Sequence, residues 1–214
     1  MFEKIVNSKI NEVADWIIRL ILINVMIILY SLAVVTIIPA ISAGYAMLGD
    51  YAERKSPRLF VDFFRYFKKN LGKKIIFEVV LLIGFALAYM NIRYYDLSLA
   101  ENPSTFLWIG YYVSLALIAI LFAITLYSVI VMKPRSDLGI VKMFKFSIFL
   151  AGKYYWITMV LVIITFSPFL LVLYPTAITS LIFIFLGISL PLLLNAMLTR
   201  RIVAYIEKLG ENNG

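Results

Sequence analysis

The chain reads as an all-α, polytopic transmembrane helix bundle, and three observations predict this. First, 63% of the 214 residues are hydrophobic and 15% are charged, with a mean hydropathy of +0.96. Soluble domains run at about 45–50% apolar and about 25% charged. A water-soluble globule of this size has no interior large enough for so many apolar side chains, whereas a bilayer accepts them on the outside of the fold. Second, the apolar residues fall in runs of spanning length. Third, fourteen Tyr, sixteen Phe and three Trp are the excess expected where rings sit at headgroup level. The length fits one membrane domain, residues 1–214.

Residues 1–19 form an N-terminal interfacial segment in which Lys4, Lys9 and Arg19 balance Glu3, Glu12 and Asp15. No small-residue cleavage pattern follows the first apolar run, which reads as a retained anchor. Five runs are apolar and long enough to cross: Leu20 to Ile38, Ile75 to Ile92, Phe106 to Met132, Tyr155 to Tyr174 and Ala177 to Leu198. Residues 20–198 make up the bundle and residues 199–214 a cytoplasmic tail. Pro39 to Tyr51 is moderately apolar and rich in small residues. It is a short sixth helix, or else a re-entrant or interfacial piece, because it covers only about 20 Å against a hydrocarbon core of about 30 Å.

Lys and Arg are retained on the cytoplasmic side of a membrane protein. Three stretches carry them here: Arg54, Lys55, Arg58, Arg65, Lys68, Lys69, Lys73 and Lys74; then Lys133, Arg135, Lys142, Lys145 and Lys153; then Arg200, Arg201 and Lys208. The connection from Asn91 to Thr105 has only Arg93 against Asp96 and Glu101. It is predicted to face outward with the Tyr174-Pro175-Thr176 turn, leaving the C-terminus cytoplasmic. Five crossings put the N-terminus outside, and six put it in the cytoplasm. An internal echo favours six. Ser56 to Lys74 aligns without gaps on Ser136 to Tyr154, with identities at Ser56/Ser136, Val61/Val141, Phe64/Phe144, Gly72/Gly152 and Lys73/Lys153. The second copy follows an incoming span, so the first needs one too, and Pro39 to Tyr51 is the segment available for it.

Both copies read as cytoplasmic amphipathic helices, near residues 57–73 and 137–153. Ser56-Pro57 is a good helix start. After it, Phe60, Phe63, Phe64, Phe67 and Leu71 share one face, with Arg58, Arg65, Lys68 and Lys69 mostly away from it. Such a helix either lies on anionic headgroups or offers a docking surface to a partner, since an aromatic stripe beside Arg is also the make-up of interface cores. Phe60, Phe63, Phe64, Arg65, Phe67, Lys68 and Lys69 are the candidate surface.

The chain has no Cys and no His. That removes thiolate and imidazole chemistry, and no metal site, cofactor or catalytic residue is predicted. The reading is non-enzymatic. The net charge of +8 follows the spans rather than one basic face, which argues against nucleic acid. Ionisable groups at membrane depth are functional suspects, and two qualify. Glu78 lies one turn after Lys74 and either pairs with it or faces the bundle. Arg19, with Trp16 and Asp15 nearby, reads as an interfacial anchor. Asn24, Thr36 and Asn195 are the leading uncharged candidates, with Ser42, Asn91, Thr165 and Ser167 behind them; such side chains mostly hydrogen-bond between helices. Pro39, Pro168 and Pro191 are expected kinks, and kinked neighbours can line a cavity.

The run NVMIILYSLAVVTIIPAISA from Asn24 to Ala43, with FVDFFRYFKK from Phe60 to Lys69, resembles the YesL-like family (DUF624) of bacterial membrane proteins of unknown function, most firmly over the first 75 residues or so. The resemblance implies a multi-pass protein of the bacterial plasma membrane that acts as an accessory or regulatory factor for an ABC-type carbohydrate importer, with its permease subunits as partners. It supplies no catalytic or binding residues, so Asn24, Thr36, Pro39, Ala43, Asp62, Phe63 and Phe64 read as structural signatures. The alternatives are a small-solute transporter or channel and, behind it, a lipid-handling membrane factor.

Overall fold

The computed structural model describes residues 2–173 and 176–211, and among these it contains helices and no strand. In chain order they are α1 (Phe2–Tyr30), α2 (Ile37–Ala52), α3 (Leu59–Lys68), α4 (Leu71–Glu101), α5 (Thr105–Arg135), α6 (Ile140–Lys153), α7 (Tyr155–Phe166), α8 (Phe169–Leu173), α9 (Ala177–Leu186), α10 (Ser189–Leu198) and α11 (Arg200–Glu211). Four segments are long and apolar enough to cross a membrane on their own, and two bent pairs, α6 with α7 and α9 with α10, bring the number to six if each pair is one span. Large apolar side chains cover the outside. Ile83, Leu87, Val113 and Ile163 are all more than half exposed, while Asn24, Ser42, Ser128, Ser147 and Thr199 are buried. That inversion is what a lipid solvent permits.

The short segment from Pro39 to Tyr51 is a helix, and it is the centre of the bundle: every residue of α2 from Ile38 to Tyr51 except Ile41 is buried. Small residues allow this. A Cβ on Gly44 would collide with the Ile27 side chain of α1, so glycine brings the two helices together. The N-terminal interfacial segment and the first span are one continuous helix that stops at Tyr30, short of Ile38. The β-branched run Val34–Thr36 is a poor α-helix former, and the Thr36 hydroxyl closes the turn by donating to the carbonyls of Tyr30 (2.6 Å) and Ala33 (2.7 Å). Pro39 kinks nothing, because it sits in the first turn of α2, where its missing amide hydrogen would have had no partner within the helix.

α4 and α5 form a long hairpin. The predicted Asn91–Thr105 loop is mostly the last turns of α4, and only Asn102–Ser104 connects the two helices. Ser104 starts α5 by accepting from the Leu107 amide at 3.3 Å. Tyr94, Tyr95, Trp108, Tyr111 and Tyr112 form contacting ring pairs near this end. Trp108 to Lys133 is about 37 Å of helix, which spans a hydrocarbon core with its interfaces.

The basic segments gather at the other end of the hairpin. α3 begins at Leu59, later than the Ser56-Pro57 start expected, and the Pro57 carbonyl accepts from the Tyr51 hydroxyl at 3.0 Å. It ends at Lys68, and Asn70, with a φ of 53°, turns the chain into α4 while its carboxamide donates to the Ser136 carbonyl at 3.0 Å. α6 meets α7 at 101°, so when α7 crosses the membrane α6 lies along its surface. The order apolar helix, amphipathic helix, apolar helix occurs twice, as α2–α3–α4 and α5–α6–α7, although α2 is mostly buried and α5 is not. Phe63/Met143 and Phe67/Ser147 are buried at matching positions of the sequence echo. The expected tail is the ordered helix α11, which buries Ile202, Val203 and Ile206 against the bundle.

Spans four and five are both broken. The Tyr155–Tyr174 run divides into α7 and α8 at Ser167-Pro168, and the Ser167 hydroxyl donates at 2.8 Å to the Ile164 carbonyl, the group Pro168 has no amide hydrogen to serve. Tyr174 and Pro175 lie outside the described residues. The Ala177–Leu198 run bends by 47° between α9 and α10, just before Pro191. Into this bend the Asn24 carboxamide inserts. Its Nδ2 donates to the Ile184 carbonyl at 2.6 Å, and its Oδ1 accepts from the amides of Ile188 (2.9 Å) and Ser189 (2.7 Å). Replacing it by Leu orphans three backbone groups in an apolar setting, at about 1–3 kcal/mol for each group left unsatisfied. Asn24→Leu is therefore expected to lower the thermal unfolding midpoint in detergent far more than Leu29→Ala on the exposed side of the same helix; equal midpoints would refute the clamp.

Candidate functional site

The predicted aromatic stripe of α3 divides between two environments. Phe63 and Phe67 are buried at 0% and 8% exposure, packed on Tyr30 with ring centroids 5.5 and 4.8 Å away. Phe60 and Phe64 are 65% and 41% exposed. Periodicity placed all of them on one face, but the bundle takes only the half that meets α1 and α2. The outward half joins Phe60, Val61 and Phe64 to Arg65, Lys68 and Lys69, all exposed. Arg65 pairs with Asp62 at 3.1 Å, and the Lys68 ammonium lies 4.5 Å from the centre of the Phe64 ring. Asp62, nearly buried, accepts from the Arg58 amide at 2.6 Å and holds the start of the helix.

Behind α3 lies a charge network that sequence reading missed. Lys133, near the end of α5, reaches Glu53 at 2.8 Å and Asp50 at 3.4 Å, and Lys55 reaches the same two carboxylates at 2.7 and 3.6 Å. The side chains of Lys133 and Asp50 are 9% and 8% exposed. The Tyr66 hydroxyl of α3 also donates to Asp50. Gly49 makes room for this, since a Cβ there would strike the Lys133 ammonium. Burial raises the pKa of the Tyr66 hydroxyl, the Asp50 carboxylate adds to the effect, and the value is pushed up to about 12. For Glu53, burial acts upward, but hydrogen bonds from Lys133 and Lys55 outweigh it and hold the carboxyl below its usual 4.5. Its hydrogen bond to Glu53 raises Lys55 above 10.5, against a smaller opposing effect of burial. The only sequence cue was that Asp50 and Glu53 flank the end of an apolar run.

Glu78 faces the bundle at 2% exposure and does not pair with Lys74, whose ammonium donates instead to the Tyr66 carbonyl at 2.8 Å. The Glu78 carboxylate accepts from the Ile38 amide at 3.2 Å, with the Ile37 amide alongside. It thus caps the buried start of α2, where the helix dipole favours negative charge and Thr36 is occupied by the turn before it. Arg19 pairs with Asp15 at 2.7 Å and lies 4.6 Å from the centre of the Tyr51 ring. Asn195 donates to the Thr165 hydroxyl at 3.0 Å.

Two concavities complete the picture. Between α6 and α11 a groove of about 600 Å³ is lined by Arg135, Lys142 and Lys145 together with Phe146, Phe149 and Ile206. Within the bundle an apolar cavity of about 390 Å³ adjoins the kinked helices. No group of acids among the described residues is arranged to hold a metal ion.

Residues 20–92, about a third of the chain, match the family described as "Protein of unknown function, DUF624", and over that stretch the chain resembles its members. The match takes in α2 and α3 with Glu53, Tyr66 and Glu78, which hold them, and Asn24, which fills the bend between α9 and α10. No curated protein and no solved structure gives a significant match.

The network makes stability depend on pH in two directions. Glu53 titrates lower in the folded protein, so its contribution is complete above the ordinary 4.5 and is lost as pH falls through the lowered value. Lys55 titrates higher, so its contribution is complete below 10.5 and is lost as pH rises through the raised value. Between these limits the contribution of the network should form a plateau. Lys133→Met is expected to lower that plateau by about 3 kcal/mol, the low end for breaking a buried pair because Lys55 still reaches Asp50. It should also shrink the acid-side step; a variant with the full step would show that Lys133 does not hold Glu53.

Proposed function

We propose that this non-enzymatic integral membrane protein is an accessory or regulatory factor that docks on a membrane partner through the outward face of α3. The observation that carries the reading is the division of the α3 stripe. Phe63 and Phe67 lock the helix from behind, so Phe60, Phe64, Arg65, Lys68 and Lys69 are presented on a rigid support. Rigid aromatic and arginine groups on an exposed face are the material of interface hot spots. The partner proposed is a permease subunit of an ABC-type carbohydrate importer in the bacterial plasma membrane, the one implied by the resemblance read from the sequence; the family matched over residues 20–92 has no assigned function.

Positive-inside retention puts the basic end, and the C-terminus with it, in the cytoplasm, and six crossings put the N-terminus there too. The groove lined by Arg135, Lys142 and Lys145 then lies where anionic headgroups are, and its aromatic floor suits the start of their acyl chains. A second reading, a lipid-handling factor, draws on this groove and on the apolar cavity. The transporter reading has less behind it, because the Glu78 carboxylate is taken up by helix amides.

Charge reversal at Arg65, Lys68 and Lys69 together is expected to abolish co-purification with the permease from native membranes, while the protein stays folded because none of the three is buried. Undiminished co-purification of the triple variant would reject docking through α3.

A further inference from the structure

We propose that the cavity of about 390 Å³ is a binding site for an uncharged, hydroxyl-bearing lipid whose chain lies among the kinked helices and whose hydroxyl meets Asn195. This goes beyond the docking reading and does not depend on it. The volume falls within the roughly 300–1,000 Å³ typical of small-ligand sites. The lining is almost wholly apolar and includes no charged residue. A sugar would leave many hydroxyls unpaired there, and an ionised headgroup would have no counter-charge.

A pure hydrocarbon would also leave something unmet. Asn195 lines the cavity at 6% exposure. Its Nδ2 is taken by Thr165, while its Oδ1 has no hydrogen-bond partner. Exchanging the amide nitrogen and oxygen does not remove the deficit, since Thr165 still satisfies only one of them, and a hydroxyl can serve either atom. On the same wall is Gly187, whose carbonyl would normally receive the amide of residue 191. Pro191 has none, and no other donor among the described residues reaches it. The comparable carbonyl at Ile164 is served by Ser167.

Entry is from the bilayer. Phe122, Phe166, Phe169 and Phe183 all line the cavity and stand in one chain of ring contacts, with centroids 4.7, 5.9 and 6.2 Å apart in turn. Phe166 and Phe169 are 46% and 55% exposed on the outer surface. Rings that touch both the cavity and the exterior mark its mouth as lateral.

The test uses full-length protein in phosphatidylcholine nanodiscs with a diazirine-bearing hexadecanol as photolabel, and peptides mapped by mass spectrometry. Labelling is expected on 122–130 and 183–195, competed by unlabelled 1-hexadecanol and not by glucose or by ionised palmitate. Asn195→Leu should weaken competition by hexadecanol about fivefold, the worth of one hydrogen bond, and leave competition by hexadecane unchanged. Leu161→Trp and Leu126→Trp, which fill the cavity from two sides, should each remove the label, with unfolding midpoints recorded to identify any variant that fails to fold. The wild-type competition decides by itself: label spread evenly over the lipid-facing side of α4, or unaffected by hexadecanol, overturns the site. Palmitate competing as well as hexadecanol, or Asn195→Leu affecting hexadecanol and hexadecane alike, overturns the assignment of an uncharged hydroxyl to Asn195.

Discussion

Where lipid is the solvent, a backbone amide or carbonyl that leaves its helix ladder has no water to turn to, and the bundle is organised around that constraint. Its helices are interrupted repeatedly, and nearly every interruption is met by a particular side chain. Thr36 closes the turn after α1, and Glu78 receives the first amides of α2. Thr158 donates to the carbonyls of Ala151 and Tyr154 at the corner of α6 and α7, and itself pairs with Tyr127. Ser167 compensates for Pro168, Asn24 fills the bend between α9 and α10, and Thr199 joins the end of α10 to Tyr45 of α2. Apolar contact cannot choose between helix arrangements as it does in water, because lipid tails are equally apolar; close packing and these hydrogen bonds make the choice.

The same constraint explains why α2 is central. A helix of small residues is the one element whose neighbours can approach closely on all sides, and approach is what lets side chains of other helices reach its ends. Glu78 comes from α4 to one end and Lys133 from α5 to the other, so α2 is tied at both ends to the α4/α5 hairpin. α3 is bound to this frame by Tyr66 through Asp50 and by Phe63 and Phe67 through Tyr30. The charged network at the basic end and the exposed half of α3 are therefore parts of one unit, and that face is held from within.

The cavity lies beside Pro191, a proline whose carbonyl deficit is left unmet. Pro191 bends the chain, Asn24 repairs the outer part of the bend, and Gly187 and Asn195 remain with unused capacity beside open space. Unused polar capacity in an apolar wall costs stability unless a ligand supplies the partner.

The class of the protein, the positions of the long apolar runs, the gathering of Lys and Arg in three stretches and the places where proline breaks a span were all legible from the sequence, because each is a property of a short length of chain: its hydropathy, its periodicity or its missing amide. The amphipathic helix near Phe60 was legible as well, but not which of its rings would be buried. Asn24 finds its partners about 160 residues away, Glu78 caps a helix 40 residues earlier, and Lys133 joins Glu53 across 80. Such pairings were decided only by the tertiary structure, since a local pattern states what a side chain needs, whereas the partner that meets the need is fixed by which helices pack side by side.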